Sequence, residues 1–255
     1  MKNQKQALQF LLFLGWILLI SCKKNQNKDS DNFVIETPGK ENGIYIPAKI
    51  STGKSNMIFS YTADLALSKI NYENGDSTTL KYTASGHPYR LYRYNAGIII
   101  SKSFYTLDKN GLIISAELFK GPTKIGWYRI TYTPTDQIAT VTYSDSSGNL
   151  SDEQKYTYNK TGDLSNIKSA GSSLSDYQYD TKNALFKQVK YSWLFAIEKE
   201  DHLFLSSISN IQNCNYPNTS KQNETFSYLY NEGGYPKKIT TKFGGQTSVA
   251  TVTYQ

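Results

Sequence analysis

Apolar and polar positions alternate along most of this chain. Tyr, Phe, Leu or Ile fall on one parity and Thr, Ser or Lys on the other. Tyr156-Thr157-Tyr158, then Asn159-Lys160-Thr161-Gly162, then Leu164 and Ile167, is the plainest case. Residues two apart share one face of a strand, and aromatic and β-branched side chains suit a half-buried pleated surface. Asn and Gly supply the left-handed backbone of a tight turn. The stretch therefore predicts strand, turn, strand.

The same unit recurs. Its tyrosine anchors Tyr61, Tyr82, Tyr105, Tyr132, Tyr158 and Tyr179 lie 21 to 27 residues apart. That spacing holds two strands and two turns, and self-similarity at such a period marks a repeat array. Asn74-Gly75 and Asn110-Gly111 carry the strongest hairpin signal. Phe33-Val34-Ile35 and Ile44-Tyr45-Ile46 read as further short strands, and Val249 to Tyr254 as a closing one. The expected fold is all-β: a large antiparallel meander of hairpin repeats, curved into an open sheet or a barrel-like shell. Two strands per period gives roughly a dozen or more, enough to enclose a lumen.

The alternation stops after Asn183. Val189, Trp193 and Ile197 recur at helical spacing, which predicts one inserted helix over residues 186–200. Asn210, Asn213, Asn215 and Pro217-Asn218 read as a loop ending that insertion. An apolar helix among wet-faced hairpins must cover something, so it is expected to pack on the aromatic face as a plug or cap.

The first 21 residues read as a secretory leader: Lys2 and Lys5, then an apolar core from Leu11 to Ile20. Leu19-Ile20-Ser21-Cys22 resembles the bacterial lipobox, in which the chain is cut before the cysteine and the cysteine is acylated. Residues 22–32 are then a polar tether, and residues 33–255 a single β-repeat domain. Several acyl chains on Cys22 would hold the protein to a membrane without crossing it. Lysines precede Asp29 in the tether, which leaves the membrane face open.

Formal charge is +7, or +5 once Lys2 and Lys5 leave with the leader. The lysines are dispersed, and no nucleic-acid-binding motif is present, so no nucleic-acid partner is expected. With Cys22 assigned to acylation, Cys214 is left as a lone, buried, apolar-type thiol.

Candidate chemistry is sparse. Glu198, Glu200, Asp201 and His202 form the densest ionisable cluster and read as a solvated helix end. His87-Pro88 reads as a turn. Asp108-Lys109-Asn110-Gly111 resembles part of a calcium loop without its later glutamate. No nucleophile elbow, phosphate loop or dinucleotide fingerprint occurs. No catalytic residue, metal site or cofactor is expected. The tyrosines and tryptophans would suit a glycan platform, although their fixed place in each repeat suits cross-strand packing.

The lipobox at Cys22, the Tyr-x-Tyr, Gly and Leu-x-x-Ile hairpins and the late interruption resemble a family of Bacteroidetes lipoproteins of unknown function with a porin-like fold. The hairpins are also loosely similar to the YD repeats of secreted Rhs-type shells. The first resemblance implies a curved or closed sheet and an outer-membrane address, and no activity. Charge and hydroxyls on both faces of some strands, as at Asp145-Ser146-Ser147, favour a water-exposed sheet over a transmembrane barrel. The expected function is that of a membrane-anchored, non-catalytic lipoprotein with an envelope binding or scaffold role. The expected partners are membrane lipid through Cys22 and a glycan or envelope protein. The alternative is a glycan-binding accessory lipoprotein using exposed Tyr and Trp.

Overall fold

The computed structural model describes residues 43–53, 55–198, 202–205, 208–217 and 222–255. The segments assigned to leader and tether, Cys22 and the Phe33–Ile35 strand lie outside them. Sixteen strands form one closed antiparallel barrel in which each strand pairs with its sequence neighbours and the last returns to the first. In order they are β1 (Pro47–Thr52), β2 (Ser55–Tyr61), β3 (Leu67–Tyr72), β4 (Ser77–Tyr82), β5 (Pro88–Asn95), β6 (Ile98–Leu107), β7 (Ile113–Lys120) and β8 (Thr123–Tyr132). There follow β9 (Ile138–Asp145), β10 (Leu150–Tyr158), β11 (Leu164–Ser169), β12 (Ser172–Tyr179), β13 (Ile211–Asn215), β14 (Glu224–Tyr230), β15 (Pro236–Phe243) and β16 (Gln246–Tyr254). The expected meander is present, and it is closed.

The two rims are built differently. Even strands hand over to odd ones through one recurring turn. In it the residue after the anchor tyrosine hydrogen-bonds four residues on, as Thr83 N–H does to His87 O at 2.8 Å and Asn159 N–H to Asp163 O at 2.8 Å. The fourth residue of that turn needs positive φ. Gly86 and Gly162 supply it freely, whereas Leu65 and Asp136 adopt it at φ 60° and 57°. At the other rim several hairpins are two-residue turns, such as Ala170-Gly171 with φ 49° and 77° between paired Ser169 and Ser172. Both central residues at positive φ suit the twist of the strands. The rims are called here the turn rim and the hairpin rim.

The anchor tyrosines point inward at the turn rim and tie neighbouring strands together. Tyr82 donates to Leu67 O at 2.6 Å, Tyr132 to Ile113 O at 2.7 Å, Tyr158 to Ile138 O at 3.0 Å and Tyr254 to Pro236 O at 2.6 Å. Each hydroxyl reaches the carbonyl at the start of the preceding strand. The packing reading of the repeat tyrosines therefore holds. Burial raises these phenols, Tyr158 to about 12. Two anchors differ: Tyr105 donates to Glu198 Oε1 inside the lumen, and the buried Tyr179 hydroxyl has no partner among the described residues.

A barrel of this size encloses more space than its own side chains fill, and the β12–β13 connection fills it. Phe186, Leu194, Phe195 and Phe204 are buried and join one apolar core with wall residues such as Phe59, Leu91, Ile130 and Val141. Phe186 stacks on Phe204 at 4.7 Å and meets Phe59 at 5.7 Å. Full burial of each such side chain stabilises by about 1.5–3 kcal/mol. The expected plug is thus present.

Three local expectations need correction. The helix does not run over residues 186–200. It is α1 (Ser192–Ile197), six residues, entered through left-handed Tyr191 at φ 61°. The cause is tertiary: Lys190 N–H bonds Leu65 O at 3.0 Å and Lys190 O accepts from Leu67 N–H at 3.2 Å, which holds Lys190 extended. Ile44 to Ile46 is not a strand, since pairing begins at Pro47. The loop expected from Asn210 onward is interrupted: Asn210 and Pro217 lie outside strands, but Asn213 and Asn215 do not. Ile211–Asn215 is β13, with Ile211 and Cys214 fully buried, because closure demands a partner for both β12 and β14. Cys214 is the buried thiol expected.

Candidate functional site

The insertion is fastened at both of its ends. At the turn rim, Asn183 Nδ2 donates to Gly233 O at 2.8 Å and Ser209 N–H to Asp163 Oδ1 at 2.9 Å. Tyr191 Oη lies 3.4 Å from His87 Nδ1. His87 is the turn residue expected, and its ring fills the space above Gly111, where even a Cβ would collide at 2.2 Å.

Deeper in the lumen, α1 ends at Glu198, whose side chain is only 3% exposed. Oε1 accepts from Tyr128 Oη at 2.9 Å and Tyr105 Oη at 3.1 Å, and Oε2 from Ser103 Oγ at 2.9 Å. Arg93 lies 3.3 Å from Oε2 and also donates to the Glu198 carbonyl. Every oxygen of this buried carboxylate is thus used, by donors from β5, β6 and β8. Burial, reinforced by Glu198, holds the Tyr105 and Tyr128 phenols well above the ordinary range. They remain neutral donors. The reading of Glu198 as part of a solvated helix end is corrected: it is the inner anchor of the plug. Leu194 lies four residues earlier on the buried helical stripe, and that spacing was the available signal. Glu200 and Asp201 lie outside the described residues, and His202 opens a 3-10 turn through Leu205.

A cavity of about 530 Å³ opens where the insertion meets the turn rim, lined by Asp163, Tyr177, Tyr179, Asp180 and Ser209 among others. Its carboxylates already serve as structural acceptors. Asp163 takes Ser209 N–H and the Thr161 hydroxyl at 3.1 Å. Asp180 takes Lys182 N–H at 2.9 Å, Asn210 N–H at 3.1 Å and the Tyr230 hydroxyl. Among the described residues no group of three His, Cys, Asp or Glu side chains converges to hold a metal.

The outer wall carries the second feature. Register places Lys81, Arg90, Phe104, Glu117 and Trp127 in one outward row across β4 to β8. Arg90 lies 4.9 Å from the Phe104 ring, Lys102 5.5 Å from Phe104 and 5.3 Å from Phe119, and Arg129 4.8 Å from Trp127. Lys155 and Lys168 pair on the far side. A lipid-facing wall needs an unbroken apolar band, and each Arg or Lys at its middle costs about 2–4 kcal/mol. This wall carries such residues around the barrel.

No family model matches the chain, and no curated protein matches it. Among solved structures it is similar to a porin-like protein from Bacteroides uniformis ATCC 8492. The TM-score is 0.54 and the identity 13%, over 82% of this chain and 96% of that one. In fold, the chain is a porin-like barrel. At that identity the likeness concerns architecture alone. A porin-like protein from Bacteroides vulgatus ATCC 8482 aligns over 83% of this chain and 99% of that one, with TM-score 0.44 and 13% identity. A Photorhabdus luminescens Tc holotoxin pore aligns over 76% of this chain and 9% of that one at TM-score 0.32 and 16% identity, too low to carry the YD-repeat resemblance. This porin-like barrel has a lumen closed by its own insertion around Glu198 and an outer wall that carries Arg90, Lys102 and Arg129.

Proposed function

We propose that this porin-like barrel is a non-catalytic lipoprotein of the bacterial cell envelope, held to the outer membrane through acylated Cys22 and serving as a rigid binding or scaffold body. The observation that carries the reading is Glu198. A carboxylate sealed into the lumen by four wall residues fixes the plug in place, which suits a solid body and not a conduit. The charged wall favours a barrel that stands in water beside a membrane. The engagement of Asp163 and Asp180 as structural acceptors supports a non-enzymatic role. The lipobox-like residues ending at Cys22 support the anchor.

Two measurements test this. Labelling with a radioactive fatty acid should mark the full-length chain and not its Cys22→Ala variant, and carbonate washing should release only the variant from membranes. Purified protein in a planar bilayer should give no conductance steps. A wild-type chain without label overturns the anchor, and stepwise conductance overturns the solid-body reading.

A further inference from the structure

Two surface features meet at the hairpin rim between β5 and β8. The first is aliphatic. Arg93 pairs with Ser101 and Tyr94 with Ile99, so Ile100 is an extra residue in β6. A bulge of this kind breaks the in-and-out alternation. Ile98, Ile99 and Ile100 are accordingly all exposed, by 70%, 43% and 47%. The next hairpin repeats the device. Leu118 pairs with Gly126 and Phe119 with Lys124, leaving Ile125 as the extra residue, 42% exposed. Gly121 N–H bonds Ile100 O at 3.1 Å and ties the two hairpins together. Four isoleucines thus crowd one arc of the rim.

The second feature is the cationic wall next to that arc. Arg90, Lys102 and Arg129 sit over Phe104, Phe119 and Trp127. Glu117, in register between Phe104 and Trp127 on this wall, is held by Lys124 at 2.6 Å. The cations cover the ring faces on which a sugar would stack, so the wall offers charge and not bare aromatic planes. Aliphatic tips, then aromatic rings with cations beside them, is the order of groups that suits a bilayer interface. There aliphatic side chains enter the acyl boundary, aromatic rings sit at headgroup depth and cations meet lipid phosphates.

We propose that this arc docks the barrel onto the surface of an anionic phospholipid leaflet, with Ile98, Ile99, Ile100 and Ile125 entering the interface and Arg90 and Lys102 binding headgroup phosphates. The docking is independent of acylation at Cys22. The chain enters the barrel at β1, on the opposite rim. The residues between Cys22 and Pro47 reach at most about 80 Å when extended, against roughly 27 Å for an eight-residue strand. A thiol anchor and a docked rim therefore fit on one leaflet.

The test uses residues 40–255, which form one compact unit closed by β1–β16 pairing and contain no acylation site. Sedimentation with vesicles of equal phosphatidylglycerol and phosphatidylcholine should pellet this barrel at least tenfold better than vesicles of phosphatidylcholine alone. Each cation near an anionic surface is worth about fivefold, so Arg90→Gln with Lys102→Gln should weaken binding about 25-fold. Ile98→Asp with Ile100→Asp should weaken it at least tenfold. Failure of wild type to pellet overturns the proposal. So does an isoleucine variant that binds as wild type while the cation variant does not, which would make the wall a site for a soluble polyanion such as an acidic polysaccharide. Should a variant not fold, the wild type decides alone: lipids brominated along the acyl chain must quench Trp127 fluorescence, and unchanged emission overturns the docking.

Discussion

Replacing Glu198 by alanine should loosen the plug more than any other single polar change in the lumen. The substitution strips the acceptor from the Tyr105, Tyr128 and Ser103 hydroxyls and from the Arg93 guanidinium. Breaking a buried ion pair from one side costs about 3–5 kcal/mol, and each buried donor left unmet about 1–3 kcal/mol. These contributions overlap. Arg93 is 22% exposed and keeps the backbone carbonyl of residue 198, which discounts its share. A net loss of about 4 kcal/mol results, or roughly 8–16 °C in Tm for a unit of this size. Glu198→Gln keeps Oε1 for the two tyrosines and sets an amide against Arg93, and should cost only about 1–2 kcal/mol. Urea unfolding in a Trp127→Phe background, followed both by Trp193 emission, which reports on α1, and by far-ultraviolet dichroism, which reports on the barrel, measures the effect. In the alanine variant the Trp193 transition should come first. A Glu198→Ala protein within about 0.5 kcal/mol of wild type, or one no worse than Glu198→Gln, would refute the assignment of Glu198 as the plug anchor.

Other outcomes follow from the same geometry. Tyr132→Phe removes a hydrogen bond to Ile113 O and should cost about 0.5–1.5 kcal/mol, whereas Tyr179→Phe removes a hydroxyl with no partner among the described residues and should be neutral or stabilising by thermal unfolding. Ala170 holds φ 49°, and Ala170→Asn supplies the preferred Asn-Gly hairpin; Tm should rise, by about 1–3 °C for roughly 0.5–1 kcal/mol of relieved strain. Alkali should unfold the barrel cooperatively. Burial raises Tyr158 from 10.0 to about 12, so the folded form holds its proton longer than the unfolded one. Stability from this source is complete below pH 10 and falls between pH 10 and 12, by up to about 1.4 kcal/mol per pH unit for each such tyrosine. Tyrosinate absorbance tracking the loss of near-ultraviolet dichroism is the expected reading, and smooth titration of a still-folded barrel contradicts it.

The hairpins were legible because their causes are local. Tyr156-Thr157-Tyr158 and Asn159 to Gly162 carry parity and turn chemistry within a few residues, and the tyrosine anchors repeat it. Stretches misread from sequence are those where a distant partner overrides local preference. Lys190 is drawn into extended pairing with the β2–β3 turn, which shortens the helix. The asparagine-rich run at Ile211–Asn215 becomes a strand because both its neighbours need one. Ile44-Tyr45-Ile46 is a run of β-branched and aromatic residues that suits a strand, yet the pairing of β1 starts only at Pro47.

The sequence alone determined that this protein is a meander of tyrosine-anchored hairpins broken by one apolar insertion, since backbone propensity and alternation act over short distances. Only the tertiary structure decided that β1 meets β16, that the insertion lies inside the ring, and that Glu198 is sealed while Arg90 and Lys102 face out. Charge along a chain does not reveal whether it will find a buried partner. That depends on which strands closure brings around it, and the pairing of Arg93, Ser103, Tyr105 and Tyr128 with one carboxylate exists only once the barrel has shut.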